Sequence, residues 1–202
     1  MTNDPITSIV ACNLCTGCGA CAGGFPDFIR MVDDPENGRR PVVTQTAEGH
    51  EASKAAANIC AGASTDWTTL PIQDEIDEAW GPVLSALEGW ASDPETRFRG
   101  SSGGAVTALS EFALAQGVAS GVAHVAARSD DPRLNETVIS RNADQLRRAS
   151  GSRYAQASPA EAIAEISAGQ EPTVFVGKPC DVASIHKAAT ADPSLAARIP
   201  LT

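Results

Sequence analysis

The clearest periodic pattern begins after residue 100. From Ala105 to Gln116, apolar residues at Val106, Leu109, Phe112 and Ala113 follow helical spacing, and Gly117 stands where a C′ residue ends such a helix. Val118 to Ala127 reads as a buried strand and Thr137 to Ser140 as a second, short one. Asn142 to Ala149 reads as a helix. Ser158-Pro159-Ala160-Glu161 supplies an N-cap, a proline at the first helical position and an early acid, so a helix should run to Ala168. Pro172 to Val176 reads as a third strand closed by Gly177, and Pro179 to Ala189 as a helix. Strands alternating with helices predict an α/β layer architecture.

The chain before this region is organised differently. Residues 1–63 are rich in Gly, Asp and Pro and show little helical periodicity. Asp33 to Gly38 is turn chemistry, Arg40 to Val43 a short strand, and His50 to Asn58 an Ala-rich helix running into Cys60. Residues 64–99 form a connector with Trp67, Trp80 and Trp90, broken by Pro71, Pro82 and Pro94 and expected to wrap over the following unit. The division expected is therefore a cysteine-bearing segment (1–63), a connector (64–99) and an α/β region (100–202). There is no internal repeat or low-complexity tract.

Composition narrows the function. The chain has 202 residues, 43% hydrophobic and 20% charged, values of a globular protein. Its 15 basic and 25 acidic residues give a net charge of −10, which argues against nucleic acid or an anionic membrane surface as partner. No apolar run approaches the roughly 20 residues of a membrane-spanning helix, so no membrane insertion is expected. Met1 to Ile9 has neither a basic nor an apolar leader region, so the expected location is cytoplasmic. In that compartment disulfides are rare, and six cysteines, five of them before Ala63, point to metal or redox work.

Cys12, Cys15, Cys18 and Cys21 follow one another with two residues between each pair. Three thiolates at this spacing can wrap one face of a 4Fe-4S cluster, with a fourth ligand from a distant position. Cys60 is the natural candidate, which leaves Cys12 surplus; Cys12 as fourth ligand is the alternative. Gly17 and Gly19 allow the loop to curl tightly. Zinc also accepts four thiolates, but zinc sites usually use two separated C-x2-C pairs rather than one run. A redox dithiol is a third reading of C-x2-C.

Three further motifs lie in the α/β region. Arg99 to Gly104 precedes a helix, where free N–H groups could meet a phosphate, although neither the dinucleotide fingerprint nor the P-loop pattern is present. The alternative is a glycine turn with a Ser cap. Gly151-Ser152-Arg153-Tyr154 places a cation beside small residues and could hold an anionic cofactor; the alternative is a solvated turn with Tyr154 packed on the core. Gly177-Lys178-Pro179-Cys180 lies where a strand meets a helix, the carboxyl end at which open α/β sheets bind ligands. Cys180 at a helix start is either a thiol of lowered pKa or a buried structural cysteine. His50, His124 and His186 show no ligand spacing to the cysteines.

Taken in order, these motifs resemble the coenzyme F420 hydrogenase/dehydrogenase beta-subunit family, which is similar to 7-hydroxymethyl chlorophyll a reductase. Leu14 to Cys21 resembles its cluster motif, Ile59-Cys60-Ala61-Gly62 its later cysteine, and Ser102 to Thr107 its glycine-rich helix start. Gly151 to Tyr154 and Val176 to Cys180 resemble its Gly-Ser-Lys-Tyr and Gly-Thr-Pro-Cys elements. The departures are Ala61 for Pro, Arg153 for Lys and Lys178 for Thr; Lys178 adds charge beside the implied flavin. Family members usually continue well past residue 202, so the chain reads as an N-terminal fragment.

The resemblance implies a ferredoxin-like iron–sulfur segment followed by an incomplete α/β sheet. It implies an oxidoreductase that passes electrons between a 4Fe-4S cluster and FAD, and on to coenzyme F420 or another two-electron acceptor. Cys15, Cys18, Cys21 and Cys60 are the implied cluster ligands. Ser102, Gly103, Gly104, Thr107, Gly151, Ser152, Arg153, Tyr154, Gly177, Lys178, Pro179 and Cys180 are the implied cofactor contacts. A redox partner subunit and a small-molecule acceptor are expected partners. The competing readings are an electron-transfer module without its own catalysis and a zinc-stabilised binding domain.

Overall fold

The structure, a computed structural model, describes residues 4–65, 76–77, 80–83 and 85–202. Trp67 and Pro71 of the connector lie outside the described residues. Helix α1 (Pro5–Ala11) starts at Asp4, whose carboxylate accepts from the Thr7 N–H at 3.1 Å. The cysteine loop follows and closes into α2 (Ala20–Gly24). Strands β1 (Ile29–Asp34) and β2 (Gly38–Val43) form an antiparallel hairpin with Ile29 opposite Val43. Its turn is held by Asp34, which accepts from the Glu36 and Asn37 N–H groups. Helix α3 (Ala47–Asn58), capped by Thr46, leads to Cys60. Ile6, Ala22, Ile29, Val43 and Ala56 form one small core among these elements.

A two-residue ladder, β3 (Ile76–Asp77) with β4 (Gly81–Pro82), precedes α4 (Pro94–Arg99). A 3-10 turn over Ser102–Gly104 enters α5 (Ala105–Ala115). Then come β5 (Gly121–Ala127), β6 (Asn135–Ser140) and α6 (Ala143–Arg148). A second 3-10 turn, Pro159–Ala162, runs into α7 (Ile163–Ala168). The chain ends with β7 (Thr173–Phe175), α8 (Pro179–Ala191) and α9 (Pro193–Arg198). The second sheet has the order β6-β5-β7, with β5 antiparallel to β6 and parallel to β7. The architecture is α/β, as the alternation of elements predicts.

Strand β5 is central because its small and β-branched residues are buried on both faces. Val122 packs with Ala113, Leu146 and Val174 beneath α5 and α6. Its neighbour Ala123 points the other way, into a larger core with Phe175, Ile163, Ile185 and Leu195. Cys18, Ala20 and Ile59 join that same core, so the cysteine loop is packed directly on the sheet side. The outer edge of β7 meets the chain's own tail, where the Phe175 N–H donates to the Leu201 carbonyl at 3.0 Å. Among the described residues no helix is long and apolar enough to cross a membrane.

Four local expectations are corrected. Helices α1 and α2 and strand β1 arise in a segment that reads as aperiodic. Ser158 does not cap a helix; its hydroxyl is engaged elsewhere, and the first turn is 3-10 before α7 begins at Ile163. In α5 the spacing is helical, but Val106, Leu109 and Phe112 are exposed; Ala113 faces the core. Tyr154 does not pack on the core: it is 99% exposed.

Candidate functional site

The cysteine loop owes its shape to two glycines. Gly17 and Gly19 have φ of 72° and 86°, and a Cβ at either would strike backbone or side chain at 2.9 Å or less. Cys18 is buried, while Cys15, Cys21 and Cys60 are half-buried. Burial pushes the Cys21 thiol far up, and the nearby charges of Cys18, Cys15 and Cys60 push it further. Burial also raises Cys15, with Cys18 and Cys60 acting in the same direction and the Gly17 N–H and Arg40 opposing. These four sulfurs therefore share one electrostatic neighbourhood. Cys12 is exposed at the end of α1.

Among the described residues, no three Cys, His, Asp or Glu side chains converge closely enough for a single metal ion. Cys15, Cys18, Cys21 and Cys60, buried or half-buried around one loop, can supply the thiolate donors of a metal group. Their shared burial, the curled glycine backbone and the soft thiolate donor set also fit such a group.

The loop is latched to the α/β region by hydrogen bonds. The buried Ser158 hydroxyl donates to the Gly17 carbonyl at 2.7 Å and accepts from Arg39 Nε at 2.9 Å. Arg39 also pairs with Glu161 at 2.8 Å and with Asp33 at 2.9 Å. The Ala160 N–H donates to the Cys18 carbonyl at 3.0 Å. Burial holds the Glu161 carboxyl above its ordinary range, with Arg39 opposing.

Beside the latch lies a cleft of about 730 Å³, within the range of small-molecule and cofactor sites. Thr16 and Gly17, the residues between Cys15 and Cys18, form part of its wall. So do Ser102 and Thr107, all four residues of Gly151-Ser152-Arg153-Tyr154, and Gly177 and Lys178. Motifs far apart in sequence thus converge. The Ser152 N–H donates to Ser101 Oγ at 2.7 Å, which ties two of them together directly. The chain is acidic overall, yet this wall carries Arg39, Arg40, Arg153 and Lys178 against Asp181. Its local charge favours an anionic ligand.

Not every predicted contact reaches the cleft. Gly103 and Gly104 (φ 67° and 69°) turn away from it: a Cβ on the first would strike Trp90, and on the second the Thr96 carbonyl. Pro179 and Cys180 sit in the first turn of α8 and are absent from the wall, with Cys180 Sγ 3.8 Å from Asp181 Oδ1. Arg153 faces the cleft, but its Nε is held by Asn135 and its Nη2 by the Pro132 carbonyl, both at 2.5 Å. Lys178 Nζ is held at 2.7 Å by Asp181, a fully buried carboxylate.

The structure adds residues that sequence reasoning missed. Arg39 and Arg40 reach the cleft from the hairpin, and their only signal was an RR pair at the start of a predicted strand. His124 lies on β5 at the cleft, with Nε2 2.7 Å from the Ser140 hydroxyl; burial lowers its pKa. A lone polar residue inside an apolar strand was the available signal.

A chain of the solved F420-reducing [NiFe] hydrogenase complex from Methanosarcina barkeri is similar, with 26% sequence identity and a TM-score of 0.46. The match covers 52% of the present chain and 36% of that chain. No curated protein matches. Residues 86–164, which include the glycine-rich turn, α5, the β5–β6 pair and the Gly-Ser-Arg-Tyr element, match the family of the coenzyme F420 hydrogenase/dehydrogenase beta subunit, N-terminal region.

Proposed function

We propose that this chain is the electron-handling part of an oxidoreductase, with a 4Fe-4S cluster on Cys15, Cys18, Cys21 and Cys60 and FAD in the adjoining cleft. The observation that carries the reading is the shared wall: Thr16 and Gly17 belong both to the cysteine loop and to the cleft. When bound, the cluster supplies one-electron transfer and the flavin two-electron chemistry, so that a one-electron donor can serve a two-electron acceptor.

The residues have distinct parts in this scheme. The four thiolates would hold the metal group beside the core shared by both regions, which Cys18 itself joins. Arg40 offsets part of the charge of a pyrophosphate, and the Ser101–Ser152 contact keeps the two cleft motifs in register. Ser158 and Arg39 hold the cysteine loop at the cleft edge. His124, kept neutral by its burial, presents an imidazole rather than an imidazolium to the cleft. Coenzyme F420 or another two-electron acceptor, and a partner subunit as electron source or sink, complete the proposed role.

The test is anaerobic purification followed by iron, sulfide, zinc and flavin analysis with an absorbance spectrum. The expected result is about four iron and four sulfide per chain, plus flavin peaks. Cys60→Ser should lose most of the iron and Cys12→Ser should keep it. Iron and sulfide without flavin would reduce the chain to an electron-transfer module. Zinc without iron or sulfide, in protein never exposed to air, would overturn the reading.

A further inference from the structure

Helix α8 begins at the cleft, with Lys178 and Asp181, and continues beneath the cysteines. Ser184, one turn along, is fully buried. Its Oγ accepts from the Ala61 N–H at 3.1 Å, in the turn that presents Cys60. The same oxygen is 3.6 Å from Cys18 Sγ. These are the two partners of Ser184 Oγ among the described residues. One helical turn further, Lys187 Nζ binds the Cys60 and Ser64 carbonyls at 2.8 and 3.0 Å.

The direction of the Cys18 contact depends on the sulfur. A free thiol donates to Ser184. A metal-bound thiolate has no proton and can only accept. The Ser184 oxygen already accepts from Ala61, and its own proton then has the Cys18 sulfur as its partner. A hydrogen bond to a ligating sulfur withdraws electron density and favours the reduced cluster, which carries one more negative charge.

We propose that Ser184 is a positioning residue for the metal group: its hydroxyl donates to the Cys18 sulfur, raises the cluster's reduction potential and fixes the Cys60 turn to the same helix. The inference rests on the cluster reading above. In the one-electron reduction it concerns, the electron enters the cluster and the Ser184 proton stays on its oxygen.

The experiment is EPR-monitored redox titration of the anaerobic holoprotein and three variants. Ser184→Ala removes the donor and should shift the potential negative, changing the one-electron equilibrium constant about three- to tenfold, or about 30–60 mV. Ser184→Thr and Ser184→Val have nearly the same volume and differ in the hydroxyl, so their comparison cancels packing effects. Threonine should stay near wild type and valine should shift with alanine. If the alanine variant does not retain a cluster, the threonine–valine pair decides. Equal potentials for that pair, with normal iron content, would overturn the proposal and leave the cluster reading intact. Absence of iron and sulfide from the wild-type protein would bring down the cluster reading itself, and this proposal with it.

Discussion

Arg39 offers the sharpest test of how the cysteine loop is held. Arg39→Met keeps most of the apolar stem but removes the guanidinium. Three side-chain contacts then go: to Ser158, to Glu161 and to Asp33. The Asp33 pair contributes little, because that carboxylate is about half exposed (49%) and solvent screens it. The Glu161 pair counts at a discount, with the carboxylate 31% exposed. The Ser158 bond counts in full, because that hydroxyl is buried and the donor is charged. Together these give a loss of about 2–3 kcal/mol, from roughly 1.5 for the charged hydrogen bond and roughly 1 for the discounted pair. The assay is anaerobic urea unfolding, read as a lower midpoint at unchanged slope. Arg133→Met is the control: that side chain is 89% exposed and its pair with Asp131 is screened by solvent, so its loss should leave the midpoint almost unchanged. Equal midpoints for the two variants would refute the latch.

Two further outcomes follow from packing and burial. Gly23→Ala should destabilise by about 1–3 kcal/mol or more in the same unfolding assay, because the added Cβ would lie 2.4 Å from the Ala160 carbonyl, a backbone atom that cannot swing aside. His124 has its folded pKa lowered by burial from the ordinary 6.5, so its contribution to stability is present above about pH 6.5 and is lost as pH falls through the lowered value. His124→Gln should therefore flatten the stability profile below about pH 6.5; a profile unchanged by the substitution would show that this group does not drive it.

The candidate site was legible in parts. The cysteine run, the glycine-rich turn, Gly151 to Tyr154 and Gly177 to Cys180 were each visible as local patterns. Which of their residues face a common cleft was not. Gly103 and Gly104 belong to the same motif as Ser102 and Thr107 but turn toward Trp90 and Thr96. Arg39, Arg40 and His124 carry no motif, and they matter because the hairpin and β5 bring them to the wall. Ser184 is an ordinary helix residue in sequence, and its place between Cys18 and Ala61 exists only in the packed molecule.

Local physics by itself determined most of the elements after residue 100. Gly117 at φ 68° ends α5, Asn142 caps α6 through the Gln145 N–H, and Pro179 opens α8, all from short-range sterics and hydrogen bonding. Helices α1 and α2 needed tertiary contacts. Seven- and five-residue helices are not stable alone, and here they stand on the shared cores and on the 159–162 turn. The Ser158 signal also lost to tertiary structure: a buried carbonyl at Gly17 and a half-buried guanidinium at Arg39 demanded partners, and their demand outweighed a helix cap. Patterns of period and capping act over a few residues and can be read along the chain. The meeting of loop, sheet and cleft depends on satisfying buried polar groups across more than 100 positions, and only the folded molecule decides which of them meet.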